Sequence, residues 1–208
     1  MHKQTKIISA LLGAALATAN GVAMAESSYG YSTSSPLGTV SANARVNLAV
    51  TVPKLILLRV GSASGPVDTI TWTGAASWNT NPSPVMDGNN QPADWDGGSP
   101  SFNFTAGPTN ALAVYAWHNN GSNASLTFTS TTFGAGGPTL ANVAVGATGP
   151  SPGSTPAHPG GNLGTAAPVN LTSNTLYNGT WTYTLGGTAT GWLAGSYSAT
   201  VTYTATTL

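Results

Sequence analysis

From Val40 to Val52 the chain alternates with a period of two. Val40, Ala42, Ala44, Val46, Leu48, Val50 and Val52 are apolar, and of the residues between them only Ala49 is not polar. Side chains of a strand point alternately to opposite faces, so this pattern predicts a long β-strand with one oily and one wet side. Burying its five larger apolar side chains at about 1.5–3 kcal/mol each contributes on the order of 7–15 kcal/mol. That rivals the net stability of a whole domain, about 5–15 kcal/mol. The oily side is therefore expected to lie between two layers of antiparallel sheet, its own or a neighbour's.

The remaining composition fits an exported β protein. The 208 residues, less a leader, are enough for one all-β domain with a core. Only 5% of residues are charged, against about 25% in ordinary soluble domains. Six tryptophans, seven tyrosines and the alternating apolar runs supply core material, which argues against disorder. A surface of Ser and Thr in place of Lys and Glu suits an extracellular protein that packs against copies of itself. Beyond the leader, Arg45, Lys54 and Arg59 stand against Glu26, Asp68, Asp87, Asp94 and Asp96, a net charge of −2. With no basic patch to neutralise a phosphate backbone, nucleic-acid binding is excluded. Cysteine is absent, so strand pairing and packing must carry the stability without disulfides.

Residues 1–25 read as a signal peptide. Lys3 and Lys6 form the basic region, Ile7 to Ala19 the apolar region, and Ala23-Met24-Ala25 the small-x-small cleavage site. No later stretch is long and apolar enough for a membrane helix. Residues 26–39 are polar, with Tyr29, Tyr31 and Pro36, and read as a flexible extension. The β-sandwich domain is expected over 40–208. Pro53 ends or bends the first strand. Lys54 to Val60 is a continuous apolar run expected to be buried on both faces, and Val67 to Trp72 alternates again.

Gly74 to Pro100 reads as a long loop with a short strand around Val85, and Ser101 to Thr105 resumes regular structure. Leu112–Trp117 and Ala124–Phe128 flank Asn120-Gly121 and are expected to form a hairpin. A strand is expected at Thr139–Val145. Gly146 to Pro168, nearly half Gly and Pro, reads as an exposed insertion loop. Tyr177, Trp181, Tyr183 and Leu185 share a face of the next strand, and Tyr197, Ala199, Val201, Tyr203 and Ala205 a face of the last. Eight or nine strands without helical periodicity predict an antiparallel, immunoglobulin-like β-sandwich.

Both ends of this pattern resemble subunits of chaperone–usher fimbriae, in particular the cysteine-free alpha-type fimbriae and common pilus. The residues that carry the resemblance are Val46-Asn47-Leu48-Ala49-Val50-Thr51-Val52-Pro53 followed by Leu55-Ile56-Leu57-Leu58, and Gly195-Ser196-Tyr197 leading into the Thr-rich strand that ends near Tyr203. They cover about a quarter of the chain. The resemblance implies a sandwich lacking its final strand, a groove filled first by a periplasmic chaperone and then by the N-terminal strand of the next subunit. It assigns Val46, Leu48, Val50 and Val52 to the donor strand, and Tyr197, Val201 and Tyr203 to the strand flanking the acceptor groove. Family donor strands begin almost at the mature N-terminus, whereas here about fourteen residues precede Val40. Val40–Val52 is thus either donated to a neighbour or used as an ordinary first strand of a self-completed sandwich.

Chemistry has few residues to draw on. Two histidines follow the leader, His118 beside the expected turn and His158 in the Gly/Pro stretch, and no serine sits in an elbow or oxyanion motif. No catalytic residue, metal ligand or cofactor is assigned. Asp87 to Asp96 offers oxygen ligands for calcium but fails the EF-hand spacing. Trp72 and Trp117 are expected to serve the core, whereas Trp78 and Trp95, in a loop, are candidates for stacking on sugar rings. The sequence thus predicts an exported structural or adhesive protein that passes through the periplasm to a fimbrium or cell surface, with self and a chaperone as partners. A secreted carbohydrate-binding β-sandwich module, with glycans as partner, is the alternative.

Overall fold

The computed structural model describes residues 28–33, 35–36, 38–78, 88–93, 95–149, 155–187 and 189–207. The signal-peptide assignment and the strand expected around Val85 lie outside these residues. The chain divides into two units, Met1–Val52 and Pro53–Leu208.

In the first unit the Ser28 hydroxyl donates to the Asn43 carbonyl at 2.5 Å and accepts from the Asn43 amide at 2.8 Å. The long strand expected at Val40–Val52 is not present: none of these residues is in a strand. Val46, Leu48, Val50 and Val52 are 82, 89, 87 and 73% exposed. An extended segment becomes a strand only when a neighbouring edge takes up its amides and carbonyls, and the apolar alternation does not supply that edge.

Among its described residues the second unit contains nine strands: β1 (Ile56–Val60), β2 (Trp72–Ser77), β3 (Ser101–Ala106), β4 (Ala111–His118), β5 (Ala124–Ser130), β6 (Val143–Thr148), β7 (Val169–Leu171), β8 (Tyr177–Leu185) and β9 (Val201–Thr207). All pairings are antiparallel. A four-stranded sheet runs β1-β4-β8-β6, a three-stranded sheet β7-β5-β9, and β2 pairs with β3 alone. The all-β sandwich read from the sequence is what the chain forms.

The core lies where the inward rows of the two larger sheets meet. On β4, Val114, Ala116 and His118 point inward; on β8, Tyr177, Trp181 and Tyr183; on β5, Ala124, Leu126 and Phe128. β4 and β5 do not form the expected hairpin. β4 pairs with β1 and β8, and β5 with β7 and β9, so the Asn120-Gly121 link carries the chain from one sheet to the other. Both strands have an apolar row that must be buried, and facing each other across the core buries both. His118 closes this end of the core, with Nε2 2.9 Å from the Leu171 carbonyl and Nδ1 accepting from the Asn120 amide at 3.3 Å. Asn119 anchors the start of β1, accepting from the Leu55 amide at 2.7 Å and donating to the Pro53 carbonyl at 2.8 Å.

Other expectations also change. β1 is half-buried, with Leu57 53% exposed, because it is an edge strand whose outer face meets solvent. On that face Arg59 lies over the Tyr115 ring at 4.0 Å, from its directly paired position on β4. Trp117 shares this outer face and is half-buried, not a core residue. The regular structure expected from Val67 starts only at Trp72, and β2 carries it through Ser77, into the stretch read as loop. A single 3-10 turn, Leu140–Asn142, precedes β6. Among the described residues, the Gly/Pro stretch is exposed at 146–149 and 164–168 but mostly covered in between. Pro156, His158, Pro159 and Leu163 are buried, and the stretch runs along β6, its Gly161 carbonyl accepting from Val145 and its Leu163 amide donating to Val143. Proline rings bury apolar surface without needing an amide partner, which the sequence reading undervalued.

Candidate functional site: an apolar groove beside an open sheet edge

Among the described residues β9 pairs with β5 alone and ends its sheet. Its other edge has no strand partner among the described residues and so offers main-chain amides and carbonyls, the template on which another strand can add. Next to it lies a groove of about 1120 Å³. Its lining comes from one end of the sandwich: Val60 at the end of β1, Leu112 near the start of β4, Val143 opening β6, Leu185 closing β8 and Val201 opening β9. Each of these side chains belongs to the inward row of its strand.

The β2–β3 pair forms a further wall. Gly74 pairs with Phe104 and Ala76 with Phe102, so these four residues and Trp72 share the face that lines the groove. Gly74 is needed there, since a Cβ would stand 2.8 Å from the Phe104 ring. Phe104 in turn packs against Trp192, ring centroids 5.3 Å apart. The segment leading into β9 completes the lining. Tyr197 lies over Gly137, whose missing Cβ leaves room for the ring, and its hydroxyl donates to the Leu193 carbonyl at 2.7 Å. The Thr200 amide and carbonyl are both tied to Thr131.

The acceptor residues read from the sequence are brought together here. Tyr197, Val201 and Tyr203 all line the groove, although only the latter two lie in β9. Val46, Leu48, Val50 and Val52, which the sequence resemblance assigns to a donor strand, are solvent-exposed in the first unit. Trp78 is half-buried just past β2. Trp95 is 60% exposed, and its indole Nε1 donates to the Gly98 carbonyl at 2.7 Å. Asp87 and Asp94 of the calcium reading lie outside the described residues, and among the described residues no three His, Asp or Glu side chains converge. Sequence reasoning missed the walls formed by Trp72, Phe102, Phe104 and Leu193. The signal was present in Phe102-x-Phe104 and Trp72-x-Gly74-x-Ala76, two short same-face rows, but neither is long enough to stand out.

Polar groups in the floor are satisfied internally. The Tyr183 and Tyr203 hydroxyls are 2.8 Å apart, and Tyr203 is 2.8 Å from His158 Nε2. Burial pushes both phenols above their ordinary value and pulls His158 below its own, the latter opposed in part by its hydrogen bond to Gly160. The site thus presents apolar area and main-chain edge, with no reactive constellation among the described residues. No helix among the described residues is long and apolar enough to cross a membrane. No protein-family profile matches the chain, and no curated protein or solved structure is similar to it.

Proposed function

We propose that this chain is an exported structural or adhesive protein, a fimbrial subunit or fimbria-like surface protein that assembles by β-strand addition. The observation that carries this reading is the coexistence of two unsatisfied surfaces in one sequence. One is the exposed apolar row Val46, Leu48, Val50 and Val52; the other is the apolar groove beside the unpaired edge of β9. A strand added to β9 from a second copy supplies main-chain hydrogen bonds to the edge, while alternate side chains fill the groove. Such a head-to-tail contact does not close on itself and so builds a filament. Before assembly the groove would need cover, the role of a periplasmic chaperone in the fimbrial family the sequence resembles. The test is purification of the chain released from its leader, with electrophoresis in detergent before and after heating. A ladder that survives detergent and collapses on boiling is expected. A monomer that melts cooperatively and never polymerises overturns the reading.

The second reading, a secreted carbohydrate-binding module, is favoured by the exposure of Trp95, whose ring offers a face for a sugar while its N–H is held. It predicts a monomer retained on a glycan array and released by Trp95→Ala.

A further inference from the structure

The Gly/Pro stretch is fastened to β9 through one imidazole. His158 Nδ1 lies 2.6 Å from the Gly160 carbonyl. A carbonyl can only accept, so Nδ1 carries the hydrogen, and in the neutral ring Nε2 is an acceptor. Tyr203, 2.8 Å away, must then donate to Nε2, which leaves its oxygen to accept from Tyr183 at 2.8 Å. The proton order is therefore fixed in one direction: Tyr183 to Tyr203 to His158, and His158 to Gly160.

The surroundings favour the neutral ring. His158 is enclosed by Phe128 of β5, Trp181 and Tyr183 of β8 and Tyr203 of β9, with ring centroids 5.2, 4.8, 6.4 and 5.5 Å away. The titratable groups that face it are the two tyrosines, both uncharged, and no carboxylate is among these neighbours. A second proton would place an N–H against Tyr203, forcing that hydroxyl to turn away from Nε2 and breaking the proton order. The charge would also be desolvated, the main reason this imidazole resists protonation.

We propose that His158 is a pH-sensitive latch that holds the segment 157–160 against β9 when neutral and releases it on protonation. Release exposes the imidazolium to water and frees Tyr203 and Tyr183, which line the groove, so the groove floor registers the latch state. The Trp181 bond to the Pro156 carbonyl and the Gly161 and Leu163 ties to β6 do not involve the ring, and they keep the opening local to the residues between them.

The test is hydrogen exchange of the whole chain between about pH 7.5 and about pH 5, corrected for intrinsic rates, a range that straddles the ordinary imidazole value of about 6.5. Protection of the Gly160 amide, which donates to the His158 carbonyl, is expected to fall by up to about tenfold per pH unit below that value, the signature of one linked proton. His158→Gln, which still accepts from Tyr203 but does not titrate, should flatten the dependence. Tyr203→Phe should lower protection already at neutral pH. Nitrogen NMR of the wild-type ring reads the latch without any variant, with Nδ1 protonated at neutral pH and the titration displaced below that of an unfolded histidine. An ordinary exposed-histidine titration, unchanged protection across the range, or the same loss of protection in His158→Gln would each overturn the proposal.

Discussion

The hydroxyls of Tyr183 and Tyr203 meet at 2.8 Å across the sandwich, one from the four-stranded sheet and the other from the three-stranded sheet. This polar link lies where the core gives way to the groove. Tyr203→Phe removes the partner of both His158 and Tyr183, so two buried polar atoms lose their bond. The expected cost is about 1–3 kcal/mol for each group left unsatisfied. Tyr183→Phe strands only one hydroxyl, which can still donate to His158, and should cost less. Urea denaturation of the two variants checks the order.

Alkaline stability follows from the same pair. Burial raises both phenols, Tyr203 further because Tyr183 stands beside it. An unfolded tyrosine loses its proton near 10.0, the ordinary value, whereas these two hold theirs in the folded chain. Above that pH the unfolded state gains from ionising, so stability should fall as pH rises from about 10. Absorbance titration should show these phenols ionising late and together with unfolding. Tyr203→Phe should weaken the dependence.

Glycines separate space that is used from space that is spare. A Cβ on Gly137 would stand 2.3 Å from the Tyr197 ring, while one on Gly146 in β6 would meet nothing within 4 Å. Neither has a positive φ, so alanine is compatible with both backbones and only sterics differ. Gly137→Ala is expected to cost about 1–3 kcal/mol by overpacking and to displace Tyr197 from the groove. Gly146→Ala should be neutral or stabilise by up to about 1 kcal/mol through the unfolded chain. Thermal melts, with tyrosine fluorescence for the first variant, decide both.

Trp181 is fully buried, and its indole N–H reaches the Pro156 carbonyl at 2.9 Å. It thereby joins β8 to the Gly/Pro stretch. Trp181→Phe should cost about 1–3 kcal/mol, since it leaves that carbonyl without a donor as well as a void. Near-ultraviolet circular dichroism during urea unfolding measures it. Loss of less than about 0.5 kcal/mol would mean the tryptophan is not the joint it looks to be.

How far the sequence could be read follows from such residues. Tyr177, Trp181 and Tyr183 were legible as one inward face because a long alternating strand repeats its signal. Alternation placed Tyr197, Val201 and Tyr203 on one face, but their place beside a groove came only from the resemblance to fimbrial subunits, and Tyr197 lies ahead of β9. Pairing was not legible. Asn120-Gly121 carries a strong hairpin signature, yet the chain crosses between sheets there, because which edge a strand meets depends on distant residues. Nor could the burial of His158 be read, since a Gly/Pro-rich stretch has no period to announce it. The segment Val40–Val52 shows the largest gap. The architecture was expected to hang on it, and the sandwich from Pro53 onward forms its core from other residues.

That separation of core from segment gives the assembly reading its sharpest prediction. Val50 is 87% exposed, so Val50→Asp removes no buried contact, and the stability of the isolated chain should change by less than about 0.5 kcal/mol. In a strand added to a neighbour, the same side chain would enter an apolar groove, where an unpaired carboxylate costs several kcal/mol. Val50→Asp should therefore abolish the heat-dissociable ladder while leaving the melting curve intact. Thr51→Asp, one residue on and on the opposite face of an extended strand, should leave a ladder. Loss of assembly in both variants would point to general charge repulsion, and loss in neither would remove this segment from the contact.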